Sequence, residues 1–255
     1  MIDIHNHLLV GVDDGPSHDD EMMSLLKQAK EQGITGIVLT PHHLHPRFKS
    51  NHFENIVQKI TQLKQREDIK QLGIELYPGQ EIRLNGQIYE DIEKGRICGI
   101  NSSQYLLIEL PSNELPHYTK SCIYRLQTMG YIPIIVHPER NKVIAKDINL
   151  LFELINGGAL SQITASSLTG VLGKKIQTTS IRMIEHNLIH FIASDAHHVK
   201  TRPFRLAELF KTRELRCLEE EIEYLLNNNK EMINNKVIKT KRPIKYIKKK
   251  HLGLF

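Results

Sequence analysis

A chain of 255 residues is long enough for one large domain or two small ones, and its composition (40% apolar, 25% charged) is that of an ordinary globular protein. No apolar run approaches the ~20 residues that span a bilayer, and the first residues lack the basic region, apolar core and small-residue cleavage site of a secretory leader, so none is expected. The net charge of +5 is local: seven lysines and Arg242 lie within residues 236–250 with no acid, and removing those eight charges from +5 leaves the rest at −3.

In chain order, the first element is a short apolar strand, MIDIH (1–5), that runs into His5 and His7. Strand side chains alternate, so the two imidazoles of His-x-His point to one side, which is metal-ligand geometry. A helical pattern over 19–32 carries Met22, Met23, Leu25, Leu26 and Ala29, with Gly33 as its stop. GIVLTPH (36–42) is a second strand ending in Thr40-Pro41-His42, and a helix is expected over 52–71. IELYPGQEI (74–82) carries Glu81 just beyond Pro78-Gly79, and YLLIELP (105–111) ends with Glu109. After a helix at 117–129, YIPIIVHP (131–138) leads into His137-Pro138-Glu139-Arg140. A helix at 147–156 precedes LSQITASS (160–167), and another at 174–187 precedes IHFIASDAH (189–197), which ends in Asp195 and His197. One or two more helices are expected over 204–228.

Strand followed by helix, about seven times, implies parallel strands joined by crossovers. The choice is between an open doubly wound sheet and a closed barrel. No G-x-G-x-x-G follows a strand and no G-x-x-x-x-G-K-[ST] occurs, and with no linker or repeat in view one barrel-like domain is the economical reading. Six of the seven strands place a His, Asp or Glu at the C-terminal end, the catalytic end in barrel enzymes. The sixth, ending in Ser166-Ser167, is the exception.

A lone strand histidine is more often a hydrogen-bonded core residue than a ligand. Six strand ends converging on one rim are different, because buried acids and imidazoles are costly unless paired or bound to a cation. Mixed imidazole and carboxylate donors suit Mn, Fe or Zn better than Mg or Ca. The donors outnumber one tetrahedral site, so two or three metals are expected.

Other chemistries find little support. Cys98, Cys122 and Cys217 are few and widely spaced, which argues against a disulfide framework and for a reducing, cytoplasmic setting. A thiol phosphatase needs an arginine six residues after its cysteine, and Gln104, Thr128 and Glu223 stand there instead. No G-x-S-x-G elbow exists for a nucleophilic serine. The acidic body and 6% aromatic content speak against a nucleic-acid partner. The basic tail is open to several readings: contact with an anionic membrane surface, a nucleic acid or an acidic partner, a solvated end, or packing through Ile244, Tyr246, Ile247, Leu252 and Phe255.

The ordered set IDIHNHLLVGVDDGP, TPHH, GQEIRL, LIELP, IVHPER and SDAHH, spanning residue 1 to about 200, resembles the polymerase and histidinol phosphatase (PHP) family. Within it, the set resembles the metal-dependent protein-tyrosine phosphatases of bacterial capsule and exopolysaccharide operons. The resemblance implies an α/β fold, a distorted TIM-like (β/α)7 barrel; the charge run sets the expected division into the barrel, 1–235, and a basic C-terminal tail, 236–255, on which the resemblance says nothing. The resemblance also implies metal ligands at His5, His7, Asp14, His42, Glu81, Glu109, His137, Asp195 and His197, with Glu81 bridging two metals. Two or three divalent transition metals are expected, Mn2+ foremost and Fe or Zn as alternatives. Arg140 and Arg202 would hold the substrate phosphate, and metal-bound hydroxide would attack phosphorus. His42 is a candidate acid for the leaving phenolate. His43, His45 and His198 are left as supporting or surface residues. The implied substrate is phosphotyrosine on a tyrosine kinase of polysaccharide synthesis. The alternative is a histidinol-phosphate phosphatase or another phosphoesterase on the same fold.

Overall fold

A computed structural model describes residues 1–247. The first strand expected from the sequence is β1 (Ile2–Asn6). The second run divides into β2 (Gly36–Leu39) and β3 (His42–His43), and the third into β4 (Glu75–Pro78) and β5 (Glu81–Arg83). The breaks have local causes. Pro41 has no N–H to give to a ladder. At Gly79 a Cβ would lie 2.7 Å from Val38 Cγ1, so the two neighbouring segments cross closely there. The remaining runs are β6 (Tyr105–Glu109), β7 (Ile132–Val136), β8 (Leu160–Thr164) and β9 (Phe191–Ala193).

Every strand pairing is parallel. One sheet runs β1-β2-β4 and the other β3-β5-β6-β7-β8-β9. Past β9 the chain returns to β1: Asp195 N donates to His5 O and His7 N donates to Ala196 O, both at 2.8 Å. Sheets covered on both faces need continuous apolar strands. All five residues of β6 are buried, as are Ile134, Ile135 and Val136 of β7.

The covering helices follow the amphipathic patterns. They are α1 (Asp19–Glu31), α2 (Phe53–Gln65), α3 (Glu67–Lys70), α4 (Ile88–Glu93), α5 (Thr119–Thr128), α6 (Asn149–Asn156), α7 (Ala165–Leu168), α8 (Lys174–Glu185) and α9 (Glu219–Ile233). The helix expected over 52–71 breaks at Arg66, whose backbone is extended. The region 204–228 also differs from expectation. Residues 209–218 form 3-10 turns, and the helix starts only at Glu219, with Glu219, Glu220 and Glu221 in its first turn, where acids suit the helix dipole.

α9 closes the end of the strands remote from the histidines. Asn229 Nδ2 donates to the carbonyls of Ile2 and Ile192, each at 2.8 Å, and Asn228 Nδ2 donates to His190 O at 2.9 Å. The first part of the basic segment is tied to the same end. Tyr105 Oη donates to Lys236 O at 2.7 Å, Ile238 is buried, and Ile244 N donates to His186 O at 2.8 Å. Tyr246 exchanges two hydrogen bonds with Asn149 and packs against His186 and Arg182. Ile244 and Ile247 are exposed, and Leu252 and Phe255 lie outside the described residues.

His190, 4% exposed between β8 and β9, accepts a hydrogen bond from Ser161 N at 3.2 Å through Nδ1. Burial pushes its pKa down to about 4. An unfolded histidine titrates near 6.5. As pH falls below that value the unfolded chain takes up a proton that the folded chain refuses until about pH 4. Stability is therefore full above pH 6.5 and declines toward pH 4, by on the order of 3 kcal/mol. Urea unfolding from pH 7.5 to 4.5 should show a shallower decline in His190→Gln than in the wild type. Parallel curves would remove His190 as a source of acid sensitivity.

Candidate metal centre

β1 delivers His5 and, one step beyond it, His7 to the same side. Each ring is fixed by its Nδ1. His5 Nδ1 donates to Gln162 Oε1 at 2.8 Å, while the amide's Nε2 is committed to Ile163 O at 2.7 Å, which sets the amide's orientation. His7 Nδ1 donates to Asp13 Oδ2 at 2.7 Å, and His197 Nδ1 donates to Asp195 O at 2.9 Å. With Nδ1 committed in each ring, the three Nε2 atoms are the ones left to face inward. None has a hydrogen-bond partner, although all are buried. Nor do buried His42 Nδ1 and Glu109 Oε2. Buried polar atoms are rarely left unpaired, and a cluster of them in one place is the mark of an ion site.

Glu81, 1% exposed at the start of β5, stands at the centre. Its Oε2 lies 3.4 Å from His5 Nε2, 3.2 Å from His7 Nε2 and 2.9 Å from His42 Nδ1. Its Oε1 lies 2.7 Å from His137 Nε2. Asp195 Oδ1 lies 3.6 Å from Nε2 of both His5 and His7. Asp14 Oδ1 lies 3.4 Å from His42 Nε2 and 3.2 Å from His197 Nε2. Donor atoms around one first-row metal, bonded at about 2.1 Å, sit roughly 3 to 3.5 Å apart.

Three overlapping groups have donor atoms within 4.8 Å of one another: His7, Asp14, His42 and His197; His5, His7 and Glu81; and His42, Glu81 and Glu109. His137 and Asp195, the other two residues picked from strand ends, border these groups through Glu81 and through His5 and His7. Both hold left-handed backbone angles, φ 35° and 55°. That costs of order 1–3 kcal/mol for a non-glycine residue and is concentrated at functional sites.

The two aspartates of the DDG turn are separated by the fold. Asp13 accepts from His7 Nδ1, His42 N and Gly15 N. Asp14 faces the histidines on the cavity side. Gly15 is dictated by the turn, because a Cβ there would sit 2.0 Å from the His7 carbonyl oxygen.

The electrostatics describe a site that holds protons where cations would otherwise sit. Burial works against charge on His42, but Glu81 and Asp14 raise its pKa to about 11. Burial likewise opposes charge on His7, and Asp13 with Glu81 raises it to about 9. Burial, reinforced by His7, lowers His197 to about 4. Burial disfavours charge on Glu81, yet His42 and His5 hold it well below the usual carboxylate range. A cation bound to these donors displaces their protons.

A cavity of about 550 Å3 opens beside the cluster, and Arg83, Arg140 and Arg202 line it. Arg140 Nη1 pairs with Asp195 Oδ2, as does Arg202 Nη2 at 2.7 Å. Arg202 Nη1 also lies 3.5 Å from Asp14 Oδ2. Both guanidinium side chains are about one third exposed toward the cavity. Behind Arg140, Glu139 Oε1 accepts from Thr164 N, Thr164 Oγ1 and Ser167 Oγ, which anchors the 3-10 turn.

Several contributors escaped the strand-end reading. Arg83, 2.8 Å from Glu109 Oε1, is two residues after Glu81 on β5, and the period of two would have placed it on the same face. Gln162 is a polar residue inside a buried strand, itself a signal. His45 is buried, lines the cavity and stacks on His42 with ring centres 4.6 Å apart. His43 turns away: its ring nitrogens meet Asp91 Oδ2 and Asn51 O, both at 2.9 Å. His198 is exposed, and its Nδ1 accepts from Lys200 N. None of the three cysteines lines the cavity.

Known proteins are similar to this chain in sequence and in fold. CapC of Staphylococcus aureus is 56% identical over 255 residues, 100% of both chains. The tyrosine-protein phosphatase YwqE of Bacillus subtilis is 39% identical over 256 residues, again 100% of each. The crystal structures described as YwqE from Bacillus subtilis and CpsB from Streptococcus pneumoniae, unique metal-dependent tyrosine phosphatases, match with a TM-score of 0.91 at 38% identity, covering 97% of this chain and 100% of that one. The family described as "Capsular polysaccharide synthesis, CpsB/CapC" matches residues 1–235. The chain belongs to the CpsB/CapC family.

Proposed function

We propose that this chain is a metal-dependent, non-cysteine protein-tyrosine phosphatase that hydrolyses phosphotyrosine, with a tyrosine kinase of polysaccharide synthesis as its substrate. The observation that carries this reading is the set of buried, partnerless imidazole nitrogens close to Glu81 and Asp14, on a cavity that Arg140 and Arg202 line among other arginines. His5, His7, Asp14, His42, Glu81, Glu109, His137, Asp195 and His197 hold two or three divalent metals. The mixed imidazole and carboxylate donors suit Mn2+, with Fe and Zn as the alternatives. Bound divalent metals supply charge neutralisation and a water acidic enough to act as nucleophile at neutral pH.

The chain's own residues do the rest. A phosphomonoester brings about two negative charges. Arg140 and Arg202, both paired with Asp195 Oδ2 at the cavity wall, would direct their remaining N–H groups to the phosphate oxygens. Glu139, held by Thr164 and Ser167, keeps the Arg140 backbone in place. His42 has Nδ1 toward Glu81 and Nε2 toward Asp14; Nε2–H stands at the cavity as the proton source for the departing phenolate. Tyrosine's pKa of about 10 makes that departure easier than loss of an alkoxide.

The strand pairings support a distorted (β/α)7 barrel of the PHP type. β2 with β3 and β4 with β5 count as one strand each, and the bridge from Asn6 to Ala196 joins the last strand to the first. We assign residues 1–235 to this barrel and 236–255 to a basic tail. Among the described residues no helix is long and apolar enough to cross a membrane. We place the protein in the cytoplasm, with the tail resting on an anionic membrane surface. Exposed Val237, Ile244 and Ile247 interleaved with lysines support that contact.

Three outcomes are expected. The protein should hydrolyse a phosphotyrosine peptide and leave histidinol phosphate largely intact. Efficient turnover of histidinol phosphate alone would overturn the substrate assignment. Chelation followed by desalting should lower kcat at least about a hundred-fold, with recovery on adding Mn2+. Alkylating the three free cysteines should leave kcat unchanged. Full activity after chelation, or loss on alkylation, would refute the metal mechanism.

A further inference from the structure

β8 is the one strand whose end offers no imidazole or carboxylate to the cluster. Its loop carries something else. After α7, residues Gly170-Val171-Leu172-Gly173 form a tight turn in which Gly173 N donates to Gly170 O at 3.0 Å. Both glycines hold left-handed angles, φ 83° and 100°. Turn tips favour Gly, Pro, Asn, Asp and Ser. Here the two central positions are aliphatic, and Val171 and Leu172 are 52% and 41% exposed. The turn is also braced from beneath. Buried Gln177 of α8 donates to Leu168 O at 2.9 Å and packs its amide against Gly170, where a Cβ would come within 3.1 Å.

Val171 and Leu172 wall a second cavity of about 180 Å3, with Thr201 and Arg205 on its other sides. This cavity shares Arg140, Asp195 and Arg202 with the catalytic one. The two are therefore neighbours across the arginine pair assigned to the phosphate. Its charged lining is net basic, three arginines (Arg140, Arg202 and Arg205) against one carboxylate, Asp195. Arg205 also pairs with Glu208 at the rim.

We infer that this second cavity is a peptide subsite for the residues flanking the phosphotyrosine, taking an aliphatic side chain against Val171 and Leu172 and an acidic one toward the basic border. It rests on the phosphatase reading above and adds a substrate class to it: a segment of protein chain in which phosphotyrosine stands beside aliphatic and acidic residues. A small phosphomonoester fills only the first cavity. A peptide crosses the arginine pair and fills both. The turn thus acts on substrate affinity and leaves the chemistry alone.

The test compares three substrates on the metal-loaded full chain: free phosphotyrosine, a phosphotyrosine peptide flanked by Leu and Glu, and one of equal length flanked by Gly and Ser. The wild type should show a KM for the Leu/Glu peptide lower than for the Gly/Ser peptide by about ten-fold. The double variant Val171→Ser, Leu172→Ser should abolish that difference, with kcat and KM on free phosphotyrosine unchanged. Leu172→Asp should raise KM for the acidic peptide further, by repulsion. A wild type without preference, a double variant that keeps it, or an equal loss on all three substrates would overturn the subsite. A wild type inactive on free phosphotyrosine as well would overturn the phosphatase reading and the subsite with it.

Discussion

Glu81 sets the constraint that the rest of the structure satisfies. A carboxylate 1% exposed cannot hold its charge without compensation. Here it lies within 3.4 Å of nitrogens from His5, His7, His42 and His137, carried by three separate stretches of chain. A parallel arrangement brings these three stretches and the one that carries Glu81 to one point by their C-terminal ends. The helices between the strands are what parallel neighbours require. The site and the fold are thus one solution to the same problem, with cations completing the charge balance that histidine protons otherwise approximate.

The supports around the cluster divide the labour. Gln162, Asp13 and the Asp195 carbonyl hold Nδ1 of three histidines and thereby aim the opposite nitrogens inward. Arg83 holds Glu109, and Glu139 holds the turn that carries Arg140. At the far end α9 spends two buried asparagines on strand carbonyls, a purely structural use of the same hydrogen-bonding chemistry. Backbone strain at His137 and Asp195 is tolerated because their N–H groups are tied to carbonyls of neighbouring strands, Gln162 O and His5 O, and because Asp195 pairs with both arginines.

Much of this was legible in the sequence because strands broadcast themselves. Seven apolar runs, each ending in a polar residue, located the strands and eight of the nine residues that lie at the cluster or its border; Asp14 came only from the family resemblance. The His-x-His spacing worked because a strand's period is two. What stayed hidden depends on three-dimensional register. No spacing rule says that the second and third runs break at Pro41 and Gly79 into two sheets. Nor does the pair Asp13-Asp14 show which acid backs a histidine and which faces the cavity; the close approach of Gly15 to the His7 carbonyl decides that. The region 204–218 has helical composition, but the structure uses it as short 3-10 turns that lead into α9. The basic segment gave no pattern, because its attachments run through backbone groups and through Tyr105, Asn149 and His186 of distant elements.

The most direct measurement is the metal content of the purified protein by elemental analysis, taken alongside its activity. Partnerless nitrogens on His5 and His7 beside Glu81, and on His197 beside Asp14, predict roughly two to three equivalents of divalent transition metal per chain, and His5→Ala should lower that number by about one. A fully active preparation with far less than one equivalent per chain would contradict the account.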